Sequence, residues 1–145
     1  MTTALDTNLT TARPARKSLH VGLWTAQGLL AAAFLMAGSM KLTTPIAALG
    51  AKMAWVTHFA PGMVRFIGSM EVLGALGLIL PSALRIQPKL TVAAAAGLVA
   101  LMVGAAGTHL SIGEGAFIAP NVVLGGLAAF VVWGRSKAAP IAARS

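Results

Sequence analysis

The chain has 145 residues, of which 57% are hydrophobic and only 10% are charged, and it contains no cysteine. A soluble domain carries roughly 25% charged residues, so the composition argues against a soluble globular protein. The lack of cysteine excludes disulfides, thiolate zinc sites and cysteine-ligated iron–sulfur clusters. The formal net charge of +8 does not indicate a nucleic-acid partner, because the basic residues stand at the ends of apolar segments, where they would meet anionic lipid.

The first apolar segment follows a polar N-terminal stretch. Residues Met1–Ser18 are rich in Thr and Arg and show no hydrophobic period, which predicts a disordered cytoplasmic tail. Val21–Met40 then runs for 20 residues without an ionisable side chain. A helix of about 20 residues at 1.5 Å each matches a hydrocarbon core roughly 30 Å thick, so we predict a transmembrane helix over about residues 20–41. The alternative, a cleaved signal peptide, usually has an h-region of only about 7–15 residues.

The connection after this helix is the longest in the chain. It opens with Thr44 and Pro45, which suit a helix cap and a first helical position. Apolar residues then repeat at helical spacing: Ile46, Leu49, Met53, Val56 and Ala60. This pattern predicts a short amphipathic helix on the outer membrane surface, with Trp55 at the level of the lipid headgroups.

Three more apolar segments predict three more membrane helices. Phe66–Leu84 is interrupted only by Glu71, and neither Leu90–Thr108 nor Gly115–Gly134 holds an ionisable residue. We predict helices over about residues 63–83, 88–110 and 115–134. On the third membrane helix, small residues recur as in a packing seam: Ala93, Gly97, Ala100, Gly104 and Gly107.

The connections between these later helices are short, which favours antiparallel neighbours. The predicted fold is therefore all-α, a membrane-spanning up-down four-helix bundle over residues 19–135. The amphipathic helix lies between its first two spans, and a second disordered cytoplasmic tail covers residues 136–145.

The basic residues set the predicted orientation. Eight lie on one side of the predicted membrane: Arg13, Arg16, Lys17, Arg85, Lys89, Arg135, Lys137 and Arg144. The other side carries Lys41, Lys52 and Arg65. By the positive-inside rule, both termini face the cytoplasm.

Glu71 is one of three acidic residues and lies inside an apolar segment. Gly68, Gly74 and Ala75 share its helical face, so it is predicted to point toward a closely approaching helix. A charge at mid-membrane costs about 2.5–3.5 kcal/mol even on the mild insertion scale. Glu71 must therefore be protonated, paired or hydrated.

Other ionisable residues fall near the same predicted level. We take five as candidates for ligand binding or proton exchange: Lys41, Arg65, Glu71, His109 and Glu114. They would form a polar pocket in the outer half of the bundle, whereas the inner half of the four helices is predicted to be dry. The structural alternative is an ion pair that only orders the helices. No metal-ligand cluster, nucleophile triad or phosphate-binding loop is visible, so catalytic residues are not assigned and no metal is predicted.

Three motifs carry a family resemblance. "FLMAGSMKL" (Phe34–Leu42), "IGSMEVLGALGLILP" (Ile67–Pro81) and "VGAAGTHL" (Val103–Leu110) occur in this order. Together they resemble the DoxX-like family over roughly Leu19–Gly134.

The resemblance implies a small four-helix protein of the bacterial inner membrane, with Lys41, Glu71 and His109 matching the family's polar pattern. The family takes its name from a subunit of a thiosulfate:quinone oxidoreductase. The first hypothesis is accordingly a subunit or accessory of a membrane redox system, with a quinone-binding pocket and a redox partner protein. The second is a small proton-coupled transporter that uses Glu71 and needs a homo-oligomer. The third is a purely structural membrane subunit.

Overall fold

The computed structural model describes residues 6–144, with side chains from residue 17 onward. Five α-helices follow one another: α1 (Asp6–Thr43), α2 (Ile46–Lys52), α3 (Pro61–Leu84), α4 (Lys89–Ser111) and α5 (Ile118–Trp133). Two 3₁₀ helices, Ala54–His58 and Gly115–Phe117, and one π-helical turn, Gly134–Ala138, join or extend them. The described part of the chain contains no strand, so the all-α class is confirmed.

Within residues 6–144, four segments are long and apolar enough to cross a membrane. They are Lys17–Thr43, Pro61–Leu84, Lys89–Ser111 and Gly115–Ala138. Each of them overlaps one of the four predicted membrane helices, with ends that differ by a few residues. α1 contacts α3 and α5, while α4 contacts α3 and α5.

The N-terminal stretch differs from its prediction. The tail was predicted to be disordered through Ser18, but α1 already begins at Asp6; Met1–Leu5 lie outside the described residues. Adding residues to an existing helix is far easier than starting one. The apolar span supplies that nucleus, and the helix propagates from it toward the N-terminus.

The segment between α1 and α3 is also different. Instead of one amphipathic helix there are two short ones. α2 ends at Lys52, and the extended backbone of Met53 (φ −136°, ψ 97°) separates it from the 3₁₀ helix. The predicted apolar stripe is used, because Leu49 and Val56 are buried with Val64 of α3. The change of chain direction at Met53 leaves Trp55 half-buried, with its ring 5.8 Å from the Lys41 Nζ.

The main core lies between the four long helices. Its buried residues are Ala26, Leu30, Phe34, Ala75, Leu78, Ala95, Leu98, Met102, Ala128 and Val131. A Cβ built on Gly74 would lie 2.6 Å from a methyl carbon of Leu98. The absence of a side chain on α3 therefore makes room for a large one on α4.

The predicted packing seam of α4 is wrong. Gly97, Gly104 and Gly107 are exposed, and a Cβ on any of them would meet nothing within 4 Å. The reason is that α4 packs through larger side chains on another face, chiefly Leu98 and Met102.

The C-terminal segment was predicted to be a disordered tail from residue 136. The structure instead continues α5 into the π turn and folds the following residues back on the α3–α4 connection. The Arg144 amide donates to the Arg85 carbonyl over 2.8 Å, and Arg85 Nε donates to the Ala142 carbonyl over 3.1 Å. Arg85 ends α3 in the left-handed conformation (φ 58°), and its carbonyl is one of the helix-end acceptors that need a partner outside the helix.

Candidate functional site

A pair of glycines brings α1 and α3 together. A Cβ built on Gly38 would lie 2.7 Å from the Gly68 carbonyl oxygen, and one on Gly68 would lie 2.8 Å from the Lys41 Cβ. Lys41 and Glu71 each stand three residues after one of these glycines, on the same helical face as it. The close crossing of the two backbones therefore sets the two charged side chains opposite each other.

The resulting ion pair is buried and uses both carboxylate oxygens. Lys41 Nζ lies 2.7 Å from Glu71 Oε2 and 2.9 Å from Oε1. The side chains are only 8% and 6% exposed. The prediction that Glu71 shares a buried face with Gly68, Gly74 and Ala75 is confirmed. The ion pair with Lys41 thus offsets the free-energy cost of placing a carboxylate inside an apolar helix.

Arg65 does not pair with Glu71, although its charge suggests that it would. Its guanidinium donates to the Lys41 backbone carbonyl and not to the Glu71 carboxylate. Carbonyls in the last turn of a helix lack partners within it, so Arg65 supports the end of α1. It holds the backbone that carries the lysine.

His109 and Glu114 form a second pair at the α4–α5 connection. His109 Nδ1 lies 2.8 Å from Glu114 Oε2, and the Glu114 amide donates to the His109 carbonyl over 2.8 Å. The His109 ring also stacks on Phe117, with 5.7 Å between centroids. These contacts fix the imidazole and leave Nε2 as the ring nitrogen that is not used by Glu114.

A cavity of about 320 Å³ connects these groups. Its polar lining consists of Lys41, Glu71, Thr108, His109 and Asn121, and its aromatic lining of Trp55 and Phe59. Three of the five candidate residues therefore line one cavity, while Arg65 and Glu114 contact residues that line it. Two members of the supposed seam, Ala100 and Gly104, also border it, so the small residues of α4 leave space here instead of packing.

A second buried polar cluster was missed by the sequence analysis. Gln27 is fully buried, its amide nitrogen donates to the Leu78 carbonyl, and its Oε1 accepts from Arg135 Nε over 2.7 Å. The inner half, which was predicted to be dry, therefore holds buried polar side chains. Gln27 was the available signal, because an amide within an apolar span needs a partner.

The apolar spans and the buried ion pair define a multi-pass membrane protein. The model of the DoxX-like family matches residues 25–131. This chain belongs to the DoxX-like family, as its three motifs indicated. No curated protein and no solved structure matches it.

Proposed function

We propose that this protein is a subunit or accessory of a membrane redox system and that it binds a quinone ring in the cavity beside Glu71. The observation that carries the proposal is the lining of that cavity. It combines the Lys41–Glu71 pair, His109 and two aromatic rings, Trp55 and Phe59. Ligand sites typically show this combination of apolar walls and a few fixed polar groups.

The cavity is compatible with the headgroup of a quinone. A volume of about 320 Å³ is at the small end of the range for ligand pockets, roughly 300–1,000 Å³. It suits a single ring better than the ring together with its hydrocarbon tail. Lys41 Nζ is the donor on hand for a quinone carbonyl oxygen. The Nδ1–H of His109 faces the Glu114 carboxylate, so Nε2 donates as well only when the ring is doubly protonated. Trp55 and Phe59 offer faces for stacking.

The protein residues would bind and handle protons, whereas a bound quinone would supply the electron-carrying chemistry. Lys41 holds the Glu71 carboxylate in place, and both Glu71 and His109 line the cavity as groups able to take up or release a proton. The electrons must come from a partner protein, because the chain has no cysteine and no cofactor motif.

The proposal includes the topology. The four spans form an up-down bundle in the bacterial inner membrane, with both termini in the cytoplasm and the cavity in the outer half. The support is the distribution of Lys and Arg, which favours the side that holds the α3–α4 connection and the C-terminal segment.

A proton-coupled transporter is the second candidate, because Glu71 is a buried ionisable group within a span. Such a protein needs a polar path that continues beyond Glu71. Below it, Phe34, Leu78 and Leu98 are each at most 2% exposed and belong to one continuous apolar core. This apolar layer favours a ligand site that ends at Glu71 over a proton path through the bundle. If no ligand binds, the protein is a structural subunit.

Trp55 provides an internal probe for the test. The full-length protein, reconstituted in phosphatidylcholine nanodiscs, is titrated with a short-chain benzoquinone while tryptophan emission is recorded. The chain has three tryptophans, and Trp55 is the one that lines this cavity. We expect a saturable quenching component that disappears in Trp55→Phe.

Substitution of the donors then tests the site itself. His109→Leu, which removes both ring nitrogens, should weaken quinone binding by roughly three- to tenfold, the value of one hydrogen bond of about 0.5–1.5 kcal/mol from the doubly protonated ring. His58→Leu is the matched control, because His58 is exposed and does not line the cavity. Quenching that never saturates, or that is the same in Trp55→Phe, would refute quinone binding at this cavity.

A further inference from the structure

Arg135 is a buried cation whose hydrogen bonds are incomplete. It is only 4% exposed. Its Nε donates to Gln27 Oε1 over 2.7 Å, and its Nη1 lies 3.3 Å from the Ala139 carbonyl and 3.2 Å from His20 Nδ1. The Nη2 atom has no hydrogen-bond partner among the described residues.

The contact with His20 does not fully satisfy Nη1. Trp24 Nε1 donates to His20 Nε2 over 3.0 Å, and a neutral imidazole has only one acceptor nitrogen. His20 can therefore accept from Trp24 or from Arg135, but not from both. When Trp24 takes that acceptor, Arg135 Nη1 retains only the Ala139 carbonyl.

No side-chain carboxylate among the described residues pairs with this guanidinium. The chain has three acidic residues, and Glu71 and Glu114 are already paired at the other cavity. The third, Asp6, precedes His20 by 14 residues of α1, which places its backbone about 21 Å farther along the helix. Leaving a buried charge without a counter-ion is costly.

A second cavity, of about 670 Å³, adjoins Arg135. It lies at the N-terminus of α4 and is lined by Lys89, Ser82 and Ser136 in addition to Arg135. No side chain caps this end of α4, which is 23 residues long. The Leu90 and Thr91 amides donate to the Gln87 and Pro88 carbonyls, so this end contributes chiefly the positive end of the helix dipole. The C-terminal segment closes the other side through Pro140 and Ile141.

We propose that this second cavity binds a phosphate-bearing anion. The unpartnered Arg135 donor, the Lys89 ammonium and the start of α4 together provide the guanidinium, the point charge and the helix terminus that phosphate groups favour. Such a group can be the headgroup of an anionic phospholipid or free phosphate. The proposal concerns the opposite end of the core from the proposed quinone site and does not depend on it.

The test measures binding of a fluorescent phosphatidic acid to the full-length protein in neutral detergent micelles, with the same label on phosphatidylcholine as the reference lipid. We expect saturable binding of phosphatidic acid that is roughly tenfold or more weaker in Arg135→Gln, because charge-assisted hydrogen bonds are the strong ones. Lys89→Gln should weaken it several-fold. Lys137→Gln removes the same charge from an exposed side chain that does not line the cavity, and it should leave binding within about twofold.

Inorganic phosphate distinguishes the two sources of the anion. Displacement of the labelled lipid by millimolar phosphate would identify free phosphate as a ligand, whereas resistance to it would identify the phospholipid, and both results support the site. Should Arg135→Gln fail to fold, Arg135→Lys and Lys89→Gln serve instead, since the first keeps a cation beside Gln27 and the second leaves the contact between Arg135 and Gln27 intact. The proposal is overturned if the wild-type protein shows no saturable binding of either probe, or if Lys137→Gln weakens binding as much as the cavity variants do.

Discussion

The Lys41–Glu71 pair yields the sharpest prediction for stability. Glu71→Gln leaves the ammonium without its carboxylate in a site where both side chains are more than nine-tenths buried. Breaking a buried ion pair by removing one partner typically costs about 3–5 kcal/mol. Because the adjoining cavity can admit water to the lysine, we expect a loss just below that range, about 2–3 kcal/mol of unfolding free energy. Lys41→Met should cost a similar amount.

The double variant Lys41→Met/Glu71→Leu separates pairing from packing. Replacing both charges by apolar side chains of similar volume is often neutral, so the double variant should be within about 1 kcal/mol of wild type. The assay is reversible unfolding in mixed micelles with increasing dodecyl sulfate, followed by circular dichroism. Lys52→Met is the control, because Lys52 is exposed and makes no ion pair among the described residues. The single variants Lys41→Met and Glu71→Leu complete the double-mutant cycle, and the reasoning fails if its coupling energy is below about 0.5 kcal/mol.

Three further outcomes can be measured in the same unfolding assay. Gly68→Ala should destabilise the protein by about 1–3 kcal/mol, since its Cβ would meet the backbone of the facing helix, whereas Gly97→Ala, in open space, should be neutral or stabilising. Gln27→Leu should cost about 1–3 kcal/mol because it leaves a buried carbonyl and Arg135 without their partner. Glu114→Gln should cost at most about 1 kcal/mol, since its pair with histidine is partly exposed. Equal losses for the two glycine variants, or a silent Gln27→Leu, would contradict the assigned packing.

The spans and the surroundings of Glu71 were readable from the sequence. The length of the apolar segments predicted the four helices, and the helical spacing of Gly68, Gly74 and Ala75 predicted the buried face of α3. The choice of partner was not readable in the same way. Lys41 and Arg65 both lie near Glu71 in the predicted topology, and the crossing at Gly38 is what assigns Lys41 to the carboxylate and Arg65 to a backbone carbonyl.

The other polar cluster could not be derived from local pattern. Arg135 resembles any basic residue at the end of a span, where snorkelling to the surface is the usual outcome. Its burial depends on α5 packing against α1 so closely that a Cβ on Gly134 would overlap Leu23. That contact joins residues that are far apart in the sequence, so it cannot be predicted from the spacing of residues within one helix. The same limit explains the α4 glycines, which have the spacing of a seam but face away from the core.

The buried face of α3 links the two clusters and bears on the choice between binding and transport. Glu71 contributes its carboxylate to one cluster, and Leu78, seven residues later, contributes its carbonyl to the other. Seven residues of helix separate them by roughly 10 Å. Between them the face presents Gly74 and Ala75, packed against Leu98 and the rest of the core. A proton that entered at Glu71 would meet no polar side chain on α3 across that layer. Each cluster is therefore best understood as a separate site at its own end of the helices, which favours ligand binding at both ends over passage between them.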